Sequence, residues 1–547
     1  SLPAGRSVTW TGNAGVKGDI PSRTTIYKTL NPSGADDATA IQAAISGCPA
    51  GQVVQLNAGT FTVRSSITVK SGVTLRGAGM GKTIIKGAAG MSGGYVVGIR
   101  GGYSLGTAFN VTAGLNKNST SITTSSAHGW KAGDVIIIDQ LNNASDDPAV
   151  SNVGYSGPAS WDGRESGKRS LGQLVKVVSV PTSTTATLEI PLYWNFDSSL
   201  TPQALKLNGM TTDAGIEELT VDNGASGTSA QSSNNGTIVL ADASNCWLLR
   251  VEAIGSYQNL VRLLWSYRNT IRGCRLHKGI PVTATDGSSS FVSSRAYGIA
   301  CNYWNSANLI ENNELYHLYM ALKMAGPFSG NVVSYNYFHE LFYSPVNWQV
   351  EGIGFHGAHP TMNLFEGNYY EGRIAADNVW GSSSHNTFFR NRVYTNPKKT
   401  GAQWAFDIQY HAQYFTFVGN VIGTNGVEST YELNNVSLSG QKAIYRLGYT
   451  SDGDKDASGN DARVSATLLR HANWDSATNG AVWNGSDDRT LPASLYLNGR
   501  PSWWGTLQWP CIGPDVSPMY PAAGAAGSGT PWNNNTVLAP PNNLKAL

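Results

Sequence analysis

Between residues 245 and 420 the chain repeats one short motif, and a repeat of that kind restricts the fold to a stack of similar units. Seven segments align: Asn245-Cys-Trp-Leu-Leu-Arg, Asn269-Thr-Ile-Arg-Gly-Cys, Asn308-Leu-Ile-Glu-Asn-Asn, Asn331-Val-Val-Ser-Tyr-Asn, Asn363-Leu-Phe-Glu-Gly-Asn, Asn386-Thr-Phe-Phe-Arg-Asn and Phe415-Thr-Phe-Val-Gly-Asn. The third position is apolar throughout, and the sixth is Asn313, Asn336, Asn368, Asn391 and Asn420 in the last five. These asparagines lie 23, 32, 23 and 29 residues apart, one coil per step with loops of varying length. Amides stacked on successive coils hydrogen-bond to one another and to the turn backbone, and Asn tolerates the bent backbone of such turns. The ladder is therefore read as structural, with no part in catalysis.

A chain of 547 residues exceeds what one compact core supports, which fits an elongated repeat. With 41% hydrophobic residues, 14% charged residues and 62 glycines, it is too apolar for disorder and too poor in Lys, Glu and Leu for a helical protein. The 38 basic and 36 acidic residues are interspersed, so no electrostatic footprint for nucleic acid or a membrane surface stands out. No run reaches the ~18 to 20 apolar residues of a membrane span. Ser1-Leu-Pro carries no charged-then-apolar leader, the start expected of a processed chain. A surface rich in Ser, Thr, Asn and Gly predicts an extracellular or periplasmic protein. Of five cysteines, Cys246, Cys274 and Cys301 are expected as buried thiols, and a Cys48–Cys511 bridge is left open.

Upstream, Gly34-Ala-Asp-Asp-Ala-Thr-Ala-Ile-Gln-Ala-Ala-Ile45 predicts a short helix with acidic residues at its start. Val53-Val-Gln-Leu-Asn-Ala-Gly-Thr-Phe-Thr-Val63 and Val73-Thr-Leu-Arg-Gly-Ala-Gly79 predict short strands parted by Gly turns. This opening resembles the pectate-lyase-like superfamily, which contains both polysaccharide hydrolases and lyases. The resemblance implies an all-β fold: a right-handed, single-stranded parallel β-helix with an N-terminal capping helix. The divisions expected are a cap and first coils over 1–104, a small β-rich insertion over 105–205, central coils with Asn ladders over 206–424, and a C-terminal segment over 425–547 packing on the helix.

The strand before each Asn motif carries a triplet: Leu260-Val-Arg262, Ala300-Cys-Asn302, Ala321-Leu-Lys323, Gly354-Phe-His356, Ala375-Ala-Asp377 and Ala405-Phe-Asp407. With the middle residue inward, the outer two face solvent on one side. The triplets then predict a trough of Ala300, Ala321, Gly354, Ala375 and Ala405 beside a polar row of Arg262, Asn302, Lys323, His356, Asp377 and Asp407. Such a trough suits an extended sugar chain.

Two carboxylates on adjacent coils would stand roughly 5 Å apart, the spacing of a retaining glycosidase pair that other rotamers open toward the inverting range, and one pKa of such a pair rises to supply the acid. On this reading Asp377 is nucleophile or base and Asp407 the acid, with the roles exchangeable, and His356 and Lys323 complete the catalytic set. Substrate contacts are expected from Arg262, Asn302, Glu351, His359, Trp380, Trp404, Gln409 and His411, and loops 280–296 and 341–350 are placed to close the trough. No cofactor is expected. In the competing lyase reading, Lys323 or His356 removes the proton next to a uronate, Arg262 neutralises its carboxylate, and Asp377 and Asp407 hold Ca²⁺. Polygalacturonase and pectate-lyase catalytic motifs are both missing from the chain, so their substrates do not carry over. A non-catalytic carbohydrate-binding β-helix or adhesin is the third reading. The commitment is a secreted polysaccharide-degrading enzyme, a glycoside hydrolase ahead of a lyase.

Overall fold

In the computed structural model, the described residues are 2–143, 162–224, 236–256, 258–279, 296–341, 347–434, 442–449, 460–484, 489–504 and 508–521. Thirty-three strands form one continuous sheet system. Its coils climb through three faces. The first face is the row Gly236–Ser244, Asn259–Tyr267, Tyr297–Ser306, Met320–Met324, Glu351–Phe355, Arg373–Ala376, Trp404–Ile408 and Ala443–Leu447, each strand parallel to the next. The second face runs from Thr270–Arg272 to Leu469–His471, and the third from Arg275–His277 to Asn473–Asp475, also in parallel register. This is a right-handed parallel β-helix, the fold read from the sequence.

The asparagines form the ladder predicted. In the turn between the second and third faces, the Asn336 side chain donates to Asn368 Oδ1 at 3.0 Å and Asn368 donates to Asn391 Oδ1 at 3.0 Å. The same oxygens also accept a backbone N–H from the coil before, as from Asn336 N at 2.9 Å. A second ladder, Asn308, Asn331, Asn363 and Asn386, occupies the preceding turn. Inside the coils the apolar position stacks its rings, with Phe365 4.7 Å from Phe388 and Phe388 5.5 Å from Phe417. Each fully buried Phe contributes about 1.5–3 kcal/mol by leaving water.

Helix Ala38–Gly47 turns Ala38, Ile41, Ala44 and Ile45 onto the open end of that core. Asp36 fixes its entry by accepting the N–H groups of Ala38 and Arg64, both at 3.1 Å. From Ser104 to Asn208 the chain leaves the helix for an antiparallel seven-stranded sheet, six of whose strands close on themselves as a small barrel. The barrel core shares Leu264, Trp265, Tyr267 and Trp304 with the β-helix wall, which seats it beside the first face.

One expectation changes and one open pairing is decided. The repeat does not end near residue 425: Ala443–Leu447, Leu469–His471 and Asn473–Asp475 add to all three faces, and Asn420 donates to Asn473 Oδ1 at 2.8 Å. The step from Asn420 to Asn473 is too long to read as one coil. All five cysteines are buried free thiols, including Cys48 and Cys511. Downstream, the tail lies over the second face, where the Tyr496 hydroxyl donates to Glu311 at 2.8 Å and Arg390 pairs with Asp515 at 2.6 Å.

Candidate active site

The true register of the first face places Arg262, Ala300, Lys323, Gly354, Ala375, Asp407 and Arg446 side by side. Two residues further along, Leu264 pairs with Asn302, and the backbone bonds of Ala325, His356, Asp377 and Gln409 continue that line. The single polar row expected from the sequence is therefore two rows. Arg262, Lys323 and Asp407 stand in one, and Asn302, His356, Asp377 and Gln409 in the other. Asp377 and Asp407 are not cross-strand partners, because Asp407 faces Ala375.

The trough is narrower than expected for the same reason. Ala300, Gly354 and Ala375 share the row of Lys323, whereas Ala321 and Ala405 point into the hydrophobic core. A register irregularity in strand Glu351–Phe355 changes which residues face out, bringing Glu351 to the outer surface opposite Arg373.

Asp407 is fully buried. Its carboxylate accepts from Arg373 at 2.9 Å, Arg446 at 2.8 Å and the Gln409 amide at 3.0 Å. Both guanidinium groups in turn lie over the Trp404 ring, Arg446 at 3.9 Å and Arg373 at 5.5 Å. This is a structural clamp, and it removes Asp407 from the role of catalytic acid. Trp404, 1% exposed, and Gln409 belong to the clamp and offer no open surface to a sugar.

Asp377 follows one coil below Asp407, and His356 and Glu351 two coils below. His356 Nδ1 lies 2.6 Å from Asp377 Oδ2, while Asp377 Oδ1 accepts the Val379 N–H at 3.0 Å. Burial works against charge on the imidazole, but the Asp377 carboxylate outweighs it and raises the His356 pKa above its ordinary value. Glu351 folds back over Gly354: a Cβ there would lie 2.6 Å from Glu351 Oε1 and 2.8 Å from Met320 Sδ, so only glycine leaves the carboxyl its place. Glu351 Oε1 is buried without a hydrogen-bond partner among the described residues, and Arg373 approaches Oε2 no closer than 3.8 Å. Burial pushes this carboxyl up to about 7, with Arg373 opposing the rise and Asp377 adding to it. Lys323 lies with its ammonium 4.5 Å from the centre of the Tyr297 ring. Burial lowers its pKa, and Asp162 and Asp377 oppose that.

The remaining expected contacts divide. Arg262 and Asn302 line a cavity of about 440 Å³ that reaches Lys323. Trp380 is 38% exposed at the turn after Asp377. His359 is buried between the Ser384 hydroxyl at 2.8 Å and the Ser382 hydroxyl at 3.3 Å, and His411 is buried with its N–H bonded to Asp461 at 3.2 Å. Neither reaches the groove. Loop residues 280–295 and 342–346 lie outside the described residues. The Ca²⁺ site of the lyase reading does not fit these donors, since Asp407 is taken by two arginines and one Asp377 oxygen by His356.

Sequence reasoning missed Arg373, Arg446 and Asp162. Asp162 comes from the barrel insertion and accepts from the Asn302 amide at 2.8 Å, a juxtaposition across 140 residues that no local pattern marks. Arg373 carried a signal, two positions before the outward Ala375. The sequence pattern hides it by setting Asp377 and Asp407 in one row.

Residues 30–144 match the family model for rhamnogalacturonase A/epimerase, pectate lyase-like. The fold of the chain is a parallel β-helix, and its first part is similar to the pectate-lyase-like family. No curated protein matches the chain. Among solved structures, this β-helix is similar to the gp49 tailspike of Pseudomonas phage LKA1, at 17% identity over 71% of this chain and 57% of that one, with a TM-score of 0.49. It is also similar to the Azotobacter vinelandii mannuronan C-5 epimerase AlgE6 A-module (14% identity, 76% and 95% covered, TM-score 0.40) and to a polygalacturonase from Erwinia carotovora (11% identity, 79% and 95% covered, TM-score 0.30). The chain spans 57% and 64% of the first two tailspike chains it matches. Likenesses this loose transfer no residue roles.

Proposed function

We propose that the groove on the first face hydrolyses a polysaccharide, with Glu351 as the general acid and Asp377 as the general base, held by His356. The observation that carries this reading is Glu351 itself: a buried carboxyl with one unpartnered oxygen, pushed up to about 7 beside a second carboxyl group. An acid with that pKa is still protonated near neutral pH, as protonating a leaving glycosidic oxygen requires. Asp377 lies one coil over and two residues along from Gly354, on which Glu351 rests. Strand spacing puts the backbone offset between Gly354 and Asp377 at about 8 Å, and an inverting pair needs room for a water between its two carboxyl groups. The substrate is a polymer too large for the cytoplasm to import intact, so we place the enzyme outside the cell or in the periplasm.

A second reading is favoured by Lys323, whose pKa burial lowers, with Arg262 two coils away in the same row. In that reading Lys323 removes the proton beside a uronate carboxylate and the chain breaks by β-elimination. Activity on a panel of neutral and uronic polysaccharides separates the two. Glu351→Gln and Asp377→Asn each abolish cleavage if hydrolysis is correct. Full activity in both variants, with loss in Lys323→Met, would sink it.

A further inference from the structure

A cavity of about 470 Å³ lies outside the groove, where the barrel insertion meets the turns that lead into the second face. Each coil gives one residue to this wall at a left-handed backbone position: Gly330, Met362 and His385 just before their ladder asparagines, and Tyr414 before Phe415. At Gly330 a Cβ would collide with the Tyr193 ring, so the glycine admits that barrel side chain to the wall. Two coils on, the His385 ring stacks on Tyr414 at 4.7 Å, and Trp194 of the barrel stands perpendicular to His385 at 5.0 Å. Trp194 is only partly buried, so the rings form an open corner. The charges lining it are already committed. The Lys117 ammonium donates to the carbonyls of Ala4 at 2.7 Å and Ser7 at 2.6 Å, and Asp197 accepts the Ser199 N–H at 2.8 Å and its hydroxyl at 2.7 Å. Burial pushes the His385 imidazole down to about 3, with Arg6, His359 and Lys117 adding to the shift, so the ring is neutral near pH 7.

We propose that this corner is a second carbohydrate site, built for a neutral sugar ring and separate from the Glu351–Asp377 groove. A pyranose presents an apolar C–H face that packs on an aromatic ring and a rim of hydroxyls that needs neutral donors and acceptors. Trp194 supplies the first. For the second, His385 Nδ1 is bonded to the Ser384 hydroxyl at 2.9 Å, while its Nε2 has no partner among the described residues. The carbonyl oxygens of Gln140 and Asn195 accept the N–H groups of Asp197 and Lys117 at 2.8 and 2.7 Å, and both side-chain NH₂ groups stay unused among the described residues. The volume is of the size expected for a small-ligand site. A charged sugar would give up its hydration here without meeting a free counter-charge, which costs more than the contacts return. None of the residues lining the cavity belongs to the groove, so a polymer held here leaves the groove open. The site stands on this geometry and does not rest on the hydrolase reading.

The test uses the full chain labelled with 5-fluorotryptophan and followed by ¹⁹F NMR, with Trp194→Phe assigning the Trp194 signal. The probes are the methyl glycosides of glucose, galactose and mannose, with glucuronate as the charged control. At least one neutral glycoside moves the Trp194 signal saturably, and glucuronate at the same concentration moves it less than a tenth as far. His385→Phe keeps the ring stack but loses Nε2 and weakens binding at least fivefold; Asn195→Ala, at an exposed position, weakens it at least twofold. Glu351→Gln leaves the titration unchanged, because Glu351 does not line this cavity. No response to any neutral glycoside, an equal response to glucuronate, or binding unmoved in both His385→Phe and Asn195→Ala overturns the site. If Trp194 responds as stated in a chain that cleaves no polysaccharide, the hydrolase reading falls and this site stands; cleavage with a silent Trp194 signal does the reverse.

Discussion

Asp407→Asn separates a structural carboxylate from a catalytic one. The native side chain accepts two charged hydrogen bonds, from Arg373 and Arg446, and is fully buried. An amide keeps the shape but removes the negative charge, leaving two buried guanidinium groups facing each other across it. Breaking a buried pair by removing one partner costs about 3–5 kcal/mol, since the remaining charge is uncompensated. For 547 residues unfolding as one unit, an unfolding entropy of about 1.1 kcal/mol/K converts a loss of 4 kcal/mol into a Tm drop of about 3–4 °C. The drop is larger if only the C-terminal coils melt. Scanning calorimetry reads it, and Asp407→Asn/Arg446→Met recovers part of the loss by removing one stranded cation. Measured well below the melting range, kcat falls by less than about tenfold. A variant with native Tm and kcat reduced by about a thousandfold would refute the clamp and restore Asp407 to the chemistry.

Four further outcomes follow from the same structure. Glu351→Gln lowers kcat by about 10²–10⁴, the usual contribution of a general acid, with little change in Tm; steady-state kinetics and calorimetry check both halves. Because burial raises the Glu351 pKa to about 7, its acid form is lost as pH rises through that value, so kcat/KM declines on the alkaline side and a pH–rate profile shows it. Gly354→Ala pushes on Glu351 Oε1 and Met320 Sδ, both flexible ends, so activity falls at least tenfold while Tm moves by no more than a few degrees. Asn368→Ala strands the Asn336 backbone N–H and the Val333 carbonyl, at a cost of about 2–4 kcal/mol by urea denaturation, with kcat intact below the transition.

How the sequence encodes this molecule differs between the scaffold and the site. The Asn ladder was legible because each rung occupies the same place in a tight turn, and the amide chemistry tolerates no drift. The capping helix was legible from Ala and Ile at helical spacing after two aspartates. Site alignment failed where the loop from first to second face changes length. The distance from the central outward residue to the following Asn is 7 for Arg262, 8 for Ala300 and Lys323, 9 for Gly354 and 11 for Ala375. No fixed spacing from the Asn therefore marks the row, and aligning triplets by their polar third residue lands on it at Arg262, Lys323 and Asp407 and two residues beyond it at Asn302, His356 and Asp377. Parity survived, so those side chains do face outward, but the Asp377–Asp407 pair did not. Glu351 was noticed as a polar neighbour. Its acid character comes from burial under the register irregularity and from Asp377 on the next coil, and neither is a local property of the chain.

The central claim, that Glu351 and Asp377 act as an inverting acid–base pair, is tested most directly by following the first products of cleavage by ¹H NMR in the native enzyme. The account predicts saturated, plain reducing ends whose first-formed anomer is opposite to that of the bond cleaved. Unsaturated non-reducing ends, or retention of the anomeric configuration, would contradict it.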